Sequence, residues 1–276
     1  MKRPSAPARR LSDRPSGLLK FKLTIAYEGT HYHGWQLQRE GNTVQHQIET
    51  VLRRLFPSVS RIHGSSRTDT GVHALGMVAH VEIPKSEFRM TARKLPLAMN
   101  AFLPEDIRIV SASRVPMSFH ARFDAVGKQY RYQIWNHRAA NPLFARLTWH
   151  VPVPLDTTAM KAAAPHFLGR QDFRSLAANR DYEMETTVRT LHRCNVQRSG
   201  PMLTIVMQGD GFLYKMCRAI VGTLCQVGHH KISPDCIPIL LQKKARRYAG
   251  MTAPAQGLTL HRVFYPTTRG SGGKTS

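Results

Sequence analysis

The 276-residue sequence predicts an α+β fold. Three observations carry that expectation. Phe21, Leu23, Ile25 and Tyr27 alternate with Lys22, Thr24 and Ala26, which is the period of a strand. Val44, Ile48, Val51, Leu52 and Leu55 recur at the period of an amphipathic helix. The same succession of strand and helix signals returns in the second half of the chain without any repeat of sequence.

The elements follow in order. Asn42 or Thr43 is placed to cap the helix that begins near Val44, because a short polar side chain there can accept from an unpaired helix N–H. A loop of small and polar residues around Asp69 leads into a strand over 77–83, where Met77, Ala79, Val81 and Ile83 share a face. A helix over 86–102, interrupted at Pro96, and a strand over 107–115 complete the first half. In the second half, Tyr130, Tyr132 and Ile134 lie on one face of a strand. A helix over 157–168 tolerates Pro165, and strands over 188–196 and 202–208 flank a turn at Ser199-Gly200. Residues 213–227 read as an apolar helix, Ser233-Pro234 caps another that reaches about Tyr248, and a strand over 258–265 closes the chain. These signals divide the protein near Ser118 into an N-terminal α+β domain (19–118) and a C-terminal one (119–266). Residues 1–18 form a basic tail, and Pro4, Pro7 and Pro15 oppose a helical presequence. Residues 267–276 are polar and glycine-rich; both tails are expected to be disordered.

Composition narrows the partners. Lys and Arg total 40 against 17 Asp and Glu, giving a net charge of +23 and a sequence pI of about 10.7. That excess calls for a polyanion, most simply nucleic acid. A membrane surface competes, but no apolar run approaches the roughly 20 residues of a spanning helix, and no basic amphipathic helix stands out. The four cysteines, Cys194, Cys217, Cys225 and Cys236, show no Cys-x-x-Cys pair and read as reduced cytosolic thiols. His229 and His230 are adjacent and do not face one point, so no metal site is expected. No glycine-rich phosphate loop is present, so no small-molecule cofactor is expected either.

In so basic a chain, the run Ser66-Arg67-Thr68-Asp69-Thr70-Gly71-Val72-His73-Ala74 singles out Asp69 as a carboxylate in a glycine-punctuated loop. Two readings fit. Thr-Asp-Thr-Gly is first of all an ordinary turn, with Asp bonded to its own backbone; it is also a place where a scaffold can present a reactive group.

This run resembles the signature of the TruA family of tRNA pseudouridine synthases, an Arg-Thr-Asp-x-Gly-Val-His-Ala segment. Further blocks are similar and in family order: Tyr27-Glu28-Gly29-Thr30-His31-Tyr32-His33-Gly34-Trp35-Gln36, Thr43-Val44-Gln45, Phe119-His120-Ala121-Arg122-Phe123 and Lys128-Gln129-Tyr130-Arg131-Tyr132. Gly211-Phe212-Leu213-Tyr214-Lys215-Met216-Cys217-Arg218-Ala219-Ile220-Val221-Gly222 and Thr252-Ala253-Pro254-Ala255-Gln256-Gly257-Leu258 complete the set. The similarity covers about residues 20–266. Ser65-Ser66 stand where Ala-Gly is usual, Thr70 where Ala is common and Ala219 where Asn is usual; a serine at 66 also changes how the loop can bend.

The resemblance implies a pseudouridine synthase-like fold, two α+β halves with joined antiparallel sheets and a basic cleft between them, assembled as a homodimer. It implies isomerisation of a flipped-out uridine in the anticodon arm of tRNA, at positions 38 to 40, without metal or cofactor. The nucleophile role falls on Asp69, which could attack C1′ of the ribose or C6 of the base. Arg218 matches the active-site arginine, whose charge would keep a closed-in carboxylate ionised; on its own it would read as a solvated helix residue. Tyr130 matches the active-site tyrosine that stacks on the flipped base, and Leu258 the apolar floor beneath it; by pattern alone both are core residues. Arg67 matches the arginine that fills the space vacated by the nucleotide, against the alternative of a salt bridge to Asp69. His120, Arg122, Lys128, Arg131, Lys215, Lys243 and Lys244 are candidate phosphate contacts. A different RNA substrate, or RNA binding without catalysis, are the other functions considered.

Overall fold

A computed structural model of the chain describes residues 17–178, 186–245 and 250–266. Apart from Gly17 and Leu18, the expected tails lie outside the described residues, as does the end of the last expected helix at Tyr248. The strands are β1 (Leu18–Tyr27), β2 (Ile62–Gly64), β3 (His73–Pro84), β4 (Ile107–Val115), β5 (Gly127–Asn136), β6 (Trp149–Val151), β7 (Gly169–Asp172), β8 (Val188–Ser199), β9 (Met202–Gly209) and β10 (Leu258–Phe264). The helices are α1 (Val44–Leu55), α2 (Leu95–Asn100), α3 (Thr157–Ala163), α4 (Met216–Gly228) and α5 (Cys236–Gln242).

The α+β class is as the periodicities indicate. All ten strands join one sheet in the order β4-β1-β3-β10-β5-β9-β8-β7, with β2 on β3 and β6 on β5. The final strand is therefore inserted in the middle. β10 runs antiparallel to β5 from Leu258↔Tyr132 to Phe264↔Gly127. It meets β3 in parallel, through Thr259↔His73 and Leu260↔Ala74 only. The expectation of joined antiparallel sheets is thus corrected: the sheet is mixed, with β10 parallel to β3 and β6 parallel to β5. β3 runs in the same direction as β10, so their two-residue contact is parallel.

Phe21, Leu23, Ile25 and Tyr27 point into the core, as their alternation requires. β3 is buried at most positions along its length, so both of its faces are covered, while β1 and β10 pair with its edges. Thr43 is the cap of α1: its side chain accepts from the His46 N–H at 3.3 Å. Val44, Ile48, Val51 and Leu52 are buried beneath it.

Other expected elements change in extent. The helix over 86–102 shrinks to α2 behind a 3-10 turn at Ala92–Lys94. Pro96 opens that helix instead of interrupting it, since a missing N–H costs nothing in a first turn. α3 tightens into a 3-10 turn over Ala164–Phe167, which contains Pro165. α4 begins three residues later than expected, after Lys215 at φ 59°. Ser233-Pro234 makes a turn ahead of α5, with the Cys236 N–H donating to the Ser233 carbonyl at 3.1 Å. β2 is too short for an alternation to be visible. Among the described residues no helix is long and apolar enough to cross a membrane.

Candidate active site

Residues 65–72 connect β2 to β3 and carry Asp69. The segment following β1 holds this loop from one side. The Trp35 N–H donates to the Thr68 carbonyl at 3.3 Å, the Gly71 N–H to the Tyr32 carbonyl at 3.3 Å, and the hydroxyls of Tyr27 and Thr68 are 2.8 Å apart. Gly34, at φ 82°, packs so closely that a Cβ there would collide with the Thr68 carbonyl oxygen. Below it, His73 Nδ1 accepts from the Gly29 N–H at 2.9 Å while Nε2 lies 3.0 Å from the Gln256 carbonyl. The neutral tautomer with its proton on Nε2 satisfies both. Three sequence blocks far apart in the chain therefore meet around one loop.

Asp69 does sit in a turn, since the Val72 N–H donates to its carbonyl at 3.1 Å. Its carboxylate, however, is not spent on that turn. Asp69 Oδ2 accepts from Arg218 Nη1 at 3.2 Å, with both side chains mostly buried. Arg218 lies in the first turn of α4. Its Nε donates to the Ala253 carbonyl at 2.7 Å, and its own carbonyl accepts from the Ala253 N–H at 3.1 Å. Gly222, one turn further along, lets the segment at Met251 approach; a Cβ at that position would collide with the Met251 carbonyl. The guanidinium, anchored at both ends of this arrangement, faces the carboxylate. Ser66 has no left-handed backbone, so the loop bends without a glycine there.

A cavity of about 810 Å³ opens over the loop. Asp69, Arg67, Tyr130 and Leu258 all line it, so the structure brings those four expected site residues together, with Arg218 reaching Asp69 at its edge. Tyr130 is 7% exposed and makes an edge contact with Phe212 at 5.1 Å between ring centres. Burial, then Cys217 and Tyr27, push its hydroxyl far above the ordinary tyrosine range. Ser66 Oγ is buried near that hydroxyl, yet no hydrogen bond of normal geometry joins them. Burial and then the Asp69 charge raise the Cys217 thiol well up, so it is an inert neighbour. Tyr132 behaves as core: it is fully buried and donates to the Pro254 carbonyl at 2.8 Å.

Arg67 is exposed on the cavity wall, and Asp69 pairs with Arg218 instead of with it. His120, Arg122, Lys128 and Lys215 line the cavity too, joined by Arg61 and Arg189, which sequence reading did not single out. Arg131, Lys243 and Lys244 do not line it, and Lys244 pairs with Asp172 at 3.3 Å. Burial, then Arg122 and Arg189, lower the Lys128 ammonium to about 8. Phe212 also escaped assignment, although it stands inside a recognised block; its contact with Tyr130 crosses from one strand to a distant loop. Among the described residues no group of three or more His, Cys, Asp or Glu is arranged to hold a metal ion.

Comparisons with known proteins give the family of the chain. A family profile described as tRNA pseudouridine synthase matches residues 23–124 and 163–266. A protein of Geotalea uraniireducens (strain Rf4) called tRNA pseudouridine synthase A is 43% identical over 251 residues, 89% of this chain and 99% of its own length. Its namesake from Acetivibrio thermocellus is 43% identical over 248 residues, 88% of this chain and 98% of its own. That from Geobacillus kaustophilus (strain HTA426) is 43% identical over 249 residues, covering 89% and 94% respectively.

Proposed function

Because the chain belongs to the TruA family of tRNA pseudouridine synthases, we propose that its substrate is the anticodon stem-loop of tRNA, at positions 38 to 40, and that Asp69 is the nucleophile. The chain is an isomerase that converts uridine to pseudouridine in tRNA. The reaction breaks the bond from N1 of uracil to C1′ and forms one from C5 to C1′. The C5 proton leaves and N1 gains one, so no redox partner or energy source is needed.

The observation that carries the Asp69 role is its carboxylate, held by Arg218 and left open to the cavity. Such an oxygen can bond to the substrate and later leave it, at C1′ or at C6. Tyr130 supplies a flat face to a uridine taken out of its stack, with Leu258 as apolar floor. Arg67, exposed beside Asp69, fills the vacated space and contacts phosphates. The cationic lining of Arg61, Arg122, Lys128, Arg189 and Lys215 supports a basic cleft between two halves, 19–118 and 119–266, that tracks an RNA backbone. No metal or small cofactor takes part in this reading. A cytoplasmic enzyme fits four free cysteines, three of them buried. A homodimer fits the exposed apolar side chains of Leu143, Phe144 and Leu147 in one stretch of chain.

Mapping pseudouridine in cellular RNA from a strain lacking this gene tests the substrate. Loss confined to tRNA positions 38 to 40 is expected. Loss at other sites, with those positions intact, would move the activity to a different RNA.

A further inference from the structure

One wall of the cavity carries an arrangement of rings that the chemistry at Asp69 does not use. Phe123 is 73% exposed. Its ring centre lies 4.2 Å from that of His120, tilted by 31°. His120 in turn touches His80 at 4.7 Å, and His80 stacks on His63 at 4.9 Å and 15°. His63, His120 and Phe123 all line the cavity.

The turn that presents Phe123 is tightly held. His120 Nδ1 accepts from the N–H groups of Arg122 and Phe123, at 3.2 and 3.3 Å. The His120 N–H donates to Asp124 at 2.9 Å, the Ala121 N–H to His80 Nδ1 at 3.1 Å, and the Tyr265 hydroxyl to the Ala121 carbonyl at 2.6 Å. A large apolar ring is thus presented to water on a held backbone, with its ring neighbour His120 behind it. Burial, with His63 and Lys20, lowers the pKa of His120, which favours the uncharged ring under Phe123.

Cations frame the rings. The Arg122 guanidinium lies 5.6 Å from the Phe123 ring centre, and Arg61 and Lys128 line the same cavity. An exposed phenyl ring among cations matches a nucleic acid, which offers a flat base beside a charged backbone. A protein partner would not require the cations.

We propose that Phe123, backed by His120, His80 and His63, is a stacking platform for an unpaired nucleobase of the substrate RNA other than the reacting uridine. This rests on the tRNA reading above. Stacking tolerates any base, because every base has a π-face, so the platform would add affinity and hold the arm in place without reading sequence.

The test uses the full chain and a synthetic anticodon stem-loop, with 2-aminopurine placed in turn at each loop position. Phe123→Ala should weaken binding roughly 5- to 150-fold, while its log–log salt slope stays that of wild type because no phosphate contact is lost. Phe123→Trp should bind as wild type does, and Phe123→Leu, which keeps apolar area without a ring, should bind as Phe123→Ala does. One loop position should show fluorescence quenching that disappears in Phe123→Ala. Unchanged melting of the variants secures the fold, since Phe123 is exposed. Phe123→Ala binding within twofold of wild type, or Phe123→Leu binding normally, would overturn the platform and leave the tRNA reading standing. A wild-type protein that neither binds the stem-loop nor modifies it would remove both.

Discussion

Arg218 bridges two segments that are distant in sequence: its Nη1 lies 3.2 Å from Asp69 Oδ2, 149 residues away, while its Nε donates to the Ala253 carbonyl at 2.7 Å. A planar guanidinium can make both bonds at once; an ammonium on a flexible stem cannot hold that fork. Arg218→Lys should therefore lower the single-turnover rate by about 100-fold, the scale of an ångström of misplacement. Binding of RNA should change only a few-fold. A lysine variant that reacts at the wild-type rate would show that charge alone matters there.

Tyr130 separates two roles by substitution. Its hydroxyl stays protonated across the working pH range, because burial raises it far above its ordinary value. Tyr130→Phe keeps the ring and should bind RNA as wild type does. Tyr130→Ala should lose about 1–3 kcal/mol of stacking. Loss of turnover in Tyr130→Phe with normal binding would assign the hydroxyl to proton transfer. Wild-type rates in both variants would make Tyr130 a core residue only.

β1 and α1 were legible in the sequence because their apolar residues keep one period long enough to be seen. β2 has three residues and shows no period at all. The parallel seam between β3 and β10 was invisible, since it joins two short stretches far apart in the chain and nothing local signals it. At the site, Asp69 stood out as a loop carboxylate in a basic chain. Arg218 did not, because an arginine on a helix looks solvated until the Ala253 carbonyl and Asp69 are placed beside it. Phe212 against Tyr130 is a long-range contact of the same kind, and Gly34 had its meaning only once Thr68 was seen to crowd it.

His80 should make the fold sensitive to acid. Burial, followed by Lys20, His120 and His63, lowers its pKa to about 4, with Asp124 opposing. The unfolded chain, near 6.5, takes up the proton first. The stability is thus present above about pH 6.5 and is lost as the pH falls toward 4, by up to about 3 kcal/mol. His80→Asn keeps an acceptor for the Ala121 N–H and removes the titration. Urea midpoints at pH 7.5 and pH 5 should differ less for this variant than for wild type. Equal differences would exclude His80 as the source.

RNA affinity should depend steeply on salt. With a net charge of +23 and a cavity lined by Arg61, Arg67, Arg122, Lys128, Arg189 and Lys215, several counterions leave on binding. A log–log slope of about −4 or steeper is expected from filter binding of tRNA between 50 and 300 mM salt. A nearly flat dependence would exclude a cleft that follows phosphates.

The nucleophile assignment is tested most directly by Asp69→Asn, assayed by tritium release from tRNA labelled at C5 of uridine. Asparagine keeps the shape and removes the attacking oxygen's charge, while the cations that grip phosphate are untouched. Release should fall to background, with tRNA affinity within about tenfold of wild type. Appreciable turnover by the asparagine protein would contradict the account.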